Sequence, residues 1–142
     1  MMSDIKITEL VSKLSKKGKM VFPNPASEEQ VFLFENSNKI KFPQKFKEWL
    51  LFTDGGDLYL PAGVQFYGVA HKPLIDVDYS DRPSEDYIVI GSLCTGDPIL
   101  IKTGSEKIYI YNHEDNRIEE DEVYEDFFEF INDLDNYLGI GV

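Results

Sequence analysis

Apolar positions in the first third of the chain recur at helical spacing. The first stripe ends in a lysine-rich turn before Gly18, as suits a helix C-terminus. Ser27 and Gln30 form a capping-box pattern, which predicts a second helix over about residues 27–36. A third helix follows, with Pro43 at its first position. The inward residues are predicted to be Ile5, Ile7, Leu10, Val11 and Leu14, then Val31 and Phe34 with Phe32 as a further candidate, then Phe46, Trp49, Leu50 and Phe52.

The pattern changes after Asp54, Gly55 and Gly56, which are typical of a helix end. Short runs rich in Ile, Val, Leu and Tyr follow, each bounded by Gly, Pro or Asp, and such runs are typical of strands. The predicted strands cover residues 58–60, 64–67, 87–93, 98–102 and 107–112. Residues 103–106 predict a hairpin turn, and residues 76–86 predict a polar loop.

The end of the chain returns to helical spacing. Phe127, Ile131, Leu134 and Leu138 form one apolar stripe, and Gly139 ends it. The order is therefore helices, then an antiparallel sheet, then a closing helix. This order is typical of the α+β class, in which helices and strands are segregated along the chain.

Length and composition indicate one globular domain. The chain has 142 residues, of which 42% are apolar and 13% aromatic. The single Cys94 excludes an internal disulfide. The N-terminus lacks the apolar core of a signal peptide, and no stretch approaches the roughly 18 to 20 apolar residues of a membrane span. We therefore expect a single domain over residues 1–142, located in the cytoplasm.

The charge is strongly acidic and unevenly distributed. The net charge is −12, with a balance of +3 over residues 1–50 and −15 over residues 51–142. Residues 113–135 alone carry eleven acids against Arg117. Such a field repels nucleic acid and anionic membranes and attracts a basic partner. The alternative interpretation is that the charge only keeps the protein in solution.

A search for catalytic and metal-binding patterns finds none that is complete. The chain has no phosphate-binding glycine loop with its lysine and no nucleophile elbow. His71 and His113 are too few for most metal sites or catalytic triads, and His113 is expected at the surface or in a turn. The acidic surroundings of Cys94 disfavour a thiolate. We therefore predict that the protein is not an enzyme and holds neither a metal nor a cofactor.

The loop at residues 76–86 begins like a calcium site but does not continue as one. Asp76 and Asp78 stand at calcium-ligand spacing. The sixth and twelfth positions of such a loop need a glycine and a glutamate. They hold Asp81 and Tyr87 instead.

Motifs along the chain resemble a known family. Ser27 opens a helix that carries Glu35, and a Phe42-Pro43 step opens the helix of Trp49, which ends in an Asp-Gly-Gly turn. Residues 87–92 form a strand that ends in Gly-Ser, and residues 96–101 run from Gly-Asp into the next strand. Residues 107–114 hold a Tyr- and His-containing region, and residues 124–130 form an aromatic closing helix.

In this order the motifs resemble the SUKH superfamily, the Smi/Knr-like proteins, over about residues 24–138. The resemblance implies an α+β fold whose central sheet is mostly antiparallel and curved, flanked by N-terminal helices and a closing C-terminal helix. Residues 1–21 add an N-terminal helix. The resemblance implies no active site. The shared residues are implied to be structural, and here they are Glu35, Pro43, Trp49, Asp54, Gly55, Gly56, Gly91, Asp97, Tyr109 and His113.

The resemblance also implies a role in protein binding. Most bacterial members look like immunity proteins that neutralise toxin domains, many of them nucleases or deaminases, and fungal relatives act in cell-wall signalling. Our first hypothesis is a non-catalytic protein that neutralises a cognate polymorphic toxin with a basic domain. The second is an intracellular regulatory or scaffold protein of the Smi/Knr type. The third is a small metal-dependent hydrolase.

The candidate partner-binding surface combines acidic groups with aromatic anchors. Acidic side chains can cover the basic surface with which a nuclease holds phosphates. Tyrosines are candidate anchors because aromatic residues are enriched among the residues that dominate binding energy. The predicted set comprises Asp76, Asp78, Tyr79, Asp81, Glu85, Asp86, Glu119, Glu120, Asp121, Glu122 and Tyr124.

Overall fold

The computed structural model of the chain describes residues 2–60, 63–77 and 82–138. Within these residues the backbone forms four α-helices, seven β-strands and one short 3-10 helix at Glu120–Glu122. The helices are α1 (Met2–Ser15), α2 (Glu28–Asn38), α3 (Gln44–Phe52) and α4 (Phe127–Leu138). The strands are β1 (Lys19–Val21), β2 (Gly56–Leu60), β3 (Val64–Phe66), β4 (Tyr87–Leu93), β5 (Pro98–Lys102), β6 (Ile108–Asn112) and β7 (Arg117–Ile118).

The seven strands form one open antiparallel sheet in which each strand lies beside its neighbour in sequence. The turn predicted at residues 103–106 joins β5 to β6, and these strands pair directly. Helices α1 to α3 come before β2, and α4 closes the chain after β7. The predicted α+β class, with an antiparallel sheet between N-terminal helices and a closing helix, is confirmed.

One face of the sheet carries the main core. Helices α1, α3 and α4 contact one another, and their apolar faces pack against this inner face of the sheet. Aromatic rings fill the centre, because the ring centroid of Phe127 lies 5.1 Å from that of Phe46, 5.4 Å from that of Trp49 and 5.2 Å from that of Phe66. Trp49 is 0% exposed, which confirms the predicted core position. The side chain of Ile5 lies outside the described part.

The outer face of the sheet carries a second, smaller cluster. Val89, Leu100 and Tyr111 are buried there, and Tyr87 and Tyr109 pack beside them half-buried. The rings of Tyr87 and Tyr109 meet edge to face with centroids 5.4 Å apart. In the part of the chain that the structure describes, no helix residue belongs to this cluster. The alternation of Ile and Tyr in β6 therefore reflects two apolar faces of one sheet.

Both edges of the sheet were missed by the sequence pattern. Strand β1 has three residues and pairs with β2, and strand β7 has two residues and pairs with β6. A strand of two or three residues is too short to show an alternation of apolar and polar side chains. Tertiary pairing alone specifies these two strands.

Two predicted details of the helices differ in the structure. Phe32 is 60% exposed, so its inward assignment is wrong. Helix α2 buries Val31 and Glu35, and Phe32 lies about 100° around the helix from Val31, towards solvent. Pro43 occupies the N-cap rather than the first helical position, and the backbone N–H that proline lacks is not needed there. The capping box of Ser27 and Gln30 is confirmed.

Candidate functional site

Asp54, just after the end of α3, binds the segment that follows β3 through hydrogen bonds. Its buried carboxylate accepts hydrogen bonds from the backbone N–H groups of Val69 (2.7 Å), Ala70 (2.8 Å) and His71 (2.8 Å). The ring Nδ1 of His71 lies 3.0 Å from the same carboxylate. Gly68 leaves the space for this contact, because a Cβ there would lie 2.7 Å from the carboxylate carbon of Asp54. Asp54 is therefore a structural clamp rather than only a turn residue.

The two glycines after Asp54 adopt backbone conformations that L side chains rarely adopt. Gly55 has φ of 102° and Gly56 has φ of 118°. The turn they form places the carbonyl of Gly55 3.0 Å from the indole Nε1 of Trp49, which donates a hydrogen bond to it. The turn therefore satisfies the polar atom of a fully buried side chain.

Glu35 holds the connection between α2 and α3. Its carboxylate accepts a hydrogen bond from the backbone N–H of Phe42 (2.9 Å) and lies 3.4 Å from the ammonium of Lys47. The side chain is 10% exposed. The N-terminus of α3 receives a further carboxylate, since Glu106 accepts hydrogen bonds from the N–H groups of Gln44 (2.6 Å) and Lys45 (3.1 Å). Pro43 offers no side-chain cap, so the β5–β6 turn supplies one.

The remaining residues implied to be structural lie in the second half of the sheet. Gly91 lies against β3, where a Cβ would approach the carbonyl of Gln65 to 2.4 Å. Asp97 contacts the ring Nδ1 of His113 and accepts a hydrogen bond from its backbone N–H (3.2 Å), which joins two neighbouring turns. Tyr109 lies on the outer face.

The acidic edge, defined as residues 119–133, contains eight acids and no lysine or arginine. The backbone N–H of Glu119 donates to the carbonyl of Ile110 (2.9 Å), and Tyr124 and Ile108 exchange two backbone hydrogen bonds of 3.0 Å. The segment is thus pinned to β6 on both sides of its 3-10 helix. Asp126 accepts a hydrogen bond from the N–H of Glu129 (2.8 Å), so this acid is the one that caps α4.

Hydrogen bonds fix three carboxylates of the acidic edge. Glu119 accepts from the side-chain amide of Asn112 (2.8 Å). Glu122 accepts from the hydroxyl of Tyr137 (2.8 Å), and Asp133 accepts from the hydroxyl of Tyr124 (2.9 Å). These donors are neutral, so they add no positive charge to the acidic edge. Within the described ranges, no lysine or arginine forms an ion pair with the acidic edge.

Tyr124 and Tyr137 are themselves altered by this arrangement. Burial raises the pKa of Tyr124 above its ordinary value, and the hydrogen bond to Asp133 raises it further. Burial likewise raises the pKa of Tyr137, followed by the hydrogen bond to Glu122. Tyr124 also packs against Phe130, with ring centroids 5.1 Å apart. Its hydroxyl is therefore engaged within the chain.

The second predicted acidic group lies elsewhere on the sheet. Glu85 and Asp86 are exposed just before β4, whereas the acidic edge follows β7. Two strands lie between β4 and β7, so the strands that carry the two groups are about 14 Å apart. Asp76 is exposed and bridges to β4 at Val89. Asp78, Tyr79 and Asp81 lie outside the described residues.

The raised pKa values predict a loss of stability at high pH. The unfolded chain releases the protons of Tyr124 and Tyr137 near the ordinary tyrosine pKa of about 10, while the folded protein retains them. The contribution of these two tyrosines to stability is therefore full below about pH 10 and is lost as the pH rises further. We expect Tyr124→Phe with Tyr137→Phe to reduce the steepness of this fall, measured by urea unfolding between about pH 9 and about pH 11.

Tyr109→Phe is the control for the alkaline prediction, because it removes a tyrosine hydroxyl from the outer face instead. Titration of tyrosinate absorbance in the folded protein gives a second readout. The double variant should lack the component of that titration that ionises at the highest pH. An identical pH dependence of unfolding in the wild type and the double variant contradicts the prediction.

Catalytic and metal-binding candidates remain separate in the structure. Cys94 is exposed in the turn between β4 and β5. Between residues 2 and 138, leaving out 61–62 and 78–81, no three His, Cys, Asp or Glu side chains gather as a metal site. In the same ranges, no helix is long and apolar enough to cross a membrane.

Comparison with protein families gives a match over residues 25–133 to the SMI1 / KNR4 family (SUKH-1). The chain belongs to the SUKH family. The match begins just before α2 and ends within α4, so it includes the whole sheet except β1. Comparison with curated proteins gives no match.

The SUKH match covers Pro43 and also Glu35, Trp49 and the Asp54 turn, and each of these last three holds one element to another. The sequence analysis missed Asn112, Asp133 and Tyr137, the residues that complete the acidic edge. No local pattern identifies them, because Tyr137 and Glu122 are 15 positions apart in the sequence. Glu106 was missed for the same reason, since it caps a helix 62 positions away.

Proposed function

We propose that this SUKH protein is a non-catalytic binding protein that neutralises a toxin domain with a basic surface. The observation that carries the proposal is the acidic edge, three of whose carboxylates are fixed by neutral donors that add no positive charge. A fixed array of charges of the same sign loses little conformational freedom when it meets a complementary surface. It also accelerates association through long-range attraction.

Family membership supports the same proposal. The SUKH resemblance implies immunity proteins among bacterial members, and nuclease toxins need basic surface to hold phosphates. Two lysines from the N-terminal half approach α4 and contact neutral groups there. The ammonium of Lys13 donates to Asn132 (2.8 Å), and that of Lys45 lies 5.2 Å from the ring centroid of Phe128. The acids of the edge are left for an external partner.

The first experiment identifies the partner and tests neutralisation. The tagged chain captures proteins from its own cells at low and moderate salt, and mass spectrometry identifies what stays bound. The proposal expects a near-stoichiometric partner with a secretion leader and a basic C-terminal domain, whose toxicity is relieved by co-expression of this chain. Recovery of a cytoplasmic signalling protein instead favours the regulatory role.

A charge-reversal variant tests the acidic edge directly. Glu120 and Asp121 are exposed, so Glu120→Lys with Asp121→Lys changes charge without disturbing the core. We expect association with the captured basic domain to slow by about ten-fold at low salt, and its salt dependence to flatten. Stopped-flow kinetics at several salt concentrations measures both effects.

The matched control raises the net charge by the same four units just before β4. Glu85→Lys with Asp86→Lys changes two adjacent exposed acids there. This variant should associate nearly as fast as the wild type, because its charges lie away from the acidic edge. Equal slowing in both variants shows that only net charge matters, and unchanged kinetics in the Glu120 and Asp121 variant removes the acidic edge from the proposal.

A further inference from the structure

Helix α2 presents an apolar pair to solvent. Phe32 is 60% exposed and Leu33 is 53% exposed, which are the largest values among the exposed apolar side chains that the structure describes. Single exposed apolar residues are common on protein surfaces, whereas contiguous apolar patches are typical of interaction surfaces, and this pair forms the start of one. The capping box of Ser27 and Gln30 fixes the start of this helix. The pair is therefore held in place by a well-formed element.

A groove lies beside the exposed pair. It has a volume of about 290 Å³ between α2 and α3, and Phe32 forms part of its wall. Val31 and Leu51 supply further apolar lining, and Lys47 and Glu35 lie at its polar side. A phenyl ring from another molecule can pack into such a groove and remove the exposed pair from water.

The charges at the two ends of α2 are opposite. Glu28 and Glu29 are exposed in its first turn, and Lys39 and Lys41 are exposed just beyond its last turn. When two such helices pack antiparallel, the acidic end of each meets the basic end of the other. Parallel packing brings like charges together. Position 34 is the midpoint between Glu29 and Lys39, and Phe32 and Leu33 lie within two positions of it. Two antiparallel helices that pair Glu29 with Lys39 therefore also bring their apolar pairs together.

We propose that α2 binds a second copy of this chain across a twofold axis. The helix lies in the half of the sequence with a charge balance of +3, while the whole chain carries −12. This half is where two copies repel each other least. The exposed pair is self-complementary in the way an isologous interface requires. The helix has 11 residues, about 16 Å in length, so the interface is small and the dimer weak.

Sedimentation over protein concentrations from about 1 μM to about 1 mM tests the dimer, since weak dimers dissociate in this range. The wild type should show reversible dimerisation. Phe32→Glu should weaken it at least about ten-fold, because it places two carboxylates at the contact. Leu74→Glu is the matched control, since Leu74 is 45% exposed and lies outside α2. It should dimerise like the wild type. Circular dichroism confirms that each variant is folded.

Mixing two charge variants tests the antiparallel arrangement. Glu29→Lys and Lys39→Glu should each weaken the homodimer, because each brings like charges together at both ends. An equimolar mixture should form a heterodimer, since the introduced lysine then faces the introduced glutamate and the remaining native pair is intact. A monomer at every concentration overturns the proposal, and so does a dimer that Phe32→Glu leaves unchanged. A mixture no stronger than its components overturns the antiparallel arrangement.

Discussion

Replacing Asp54 by alanine is expected to lower the free energy of unfolding by about 4 kcal/mol. The carboxylate is the shared acceptor for three consecutive backbone N–H groups, those of Val69, Ala70 and His71. Asp54 is 1% exposed, so water does not take its place without a rearrangement of the loop. Removal of the acceptor leaves donors unsatisfied next to an empty space, and each such donor costs about 1 to 3 kcal/mol.

Two further variants separate the parts of the Asp54 clamp. Asp54→Asn keeps the shape and one acceptor oxygen but points an amide N–H₂ at backbone donors, so it should lose a large part of the same stability. His71→Ala removes only a side chain that is 37% exposed, and it should cost less than about 1 kcal/mol. Urea unfolding at neutral pH measures all three. An Asp54→Ala protein within about 1 kcal/mol of the wild type shows that the clamp is not a major source of stability.

Local signals explain why much of the fold is predictable from the sequence. The capping box at Ser27 and the apolar stripe from Phe127 to Leu138 act within a few residues, and both elements form as predicted. The same holds for strands β4 and β5, whose predicted bounds agree with the structure. The motifs also predicted membership of the SUKH family, and the match over residues 25–133 confirms this prediction.

Long-range partners explain what could not be predicted. The donors to Asp54 lie 15 to 17 positions away, so its sequence neighbours suggest only a turn. The acidic composition of residues 119–133 is visible in the sequence, but the tyrosines that fix two of its carboxylates are identified by geometry alone. Phe32 was misassigned because hydrophobicity indicates burial only on average, and this side chain is 60% exposed.

Replacing Trp49 by alanine is expected to lower the free energy of unfolding by about 3 to 5 kcal/mol. The indole is 0% exposed and lies between rings on three sides, with centroids 6.2 Å from Phe22, 6.1 Å from Phe66 and 5.4 Å from Phe127. An alanine leaves a cavity that these rigid rings do not fill. The change also leaves the carbonyl of Gly55 without the N–H that donates to it.

Trp49→Phe separates packing from hydrogen bonding at this position. It keeps an aromatic ring and loses the N–H, so we expect a smaller cost of about 1 to 3 kcal/mol. Because Trp49 is the only tryptophan, its fluorescence is lost in both variants, and far-ultraviolet circular dichroism must follow the unfolding. If Trp49→Ala unfolds at nearly the same urea concentration as the wild type, α3 does not anchor the core. The turn at Gly55 and Gly56 then has to be held by Asp54 alone, and the Asp54→Ala protein should show the larger loss of the two.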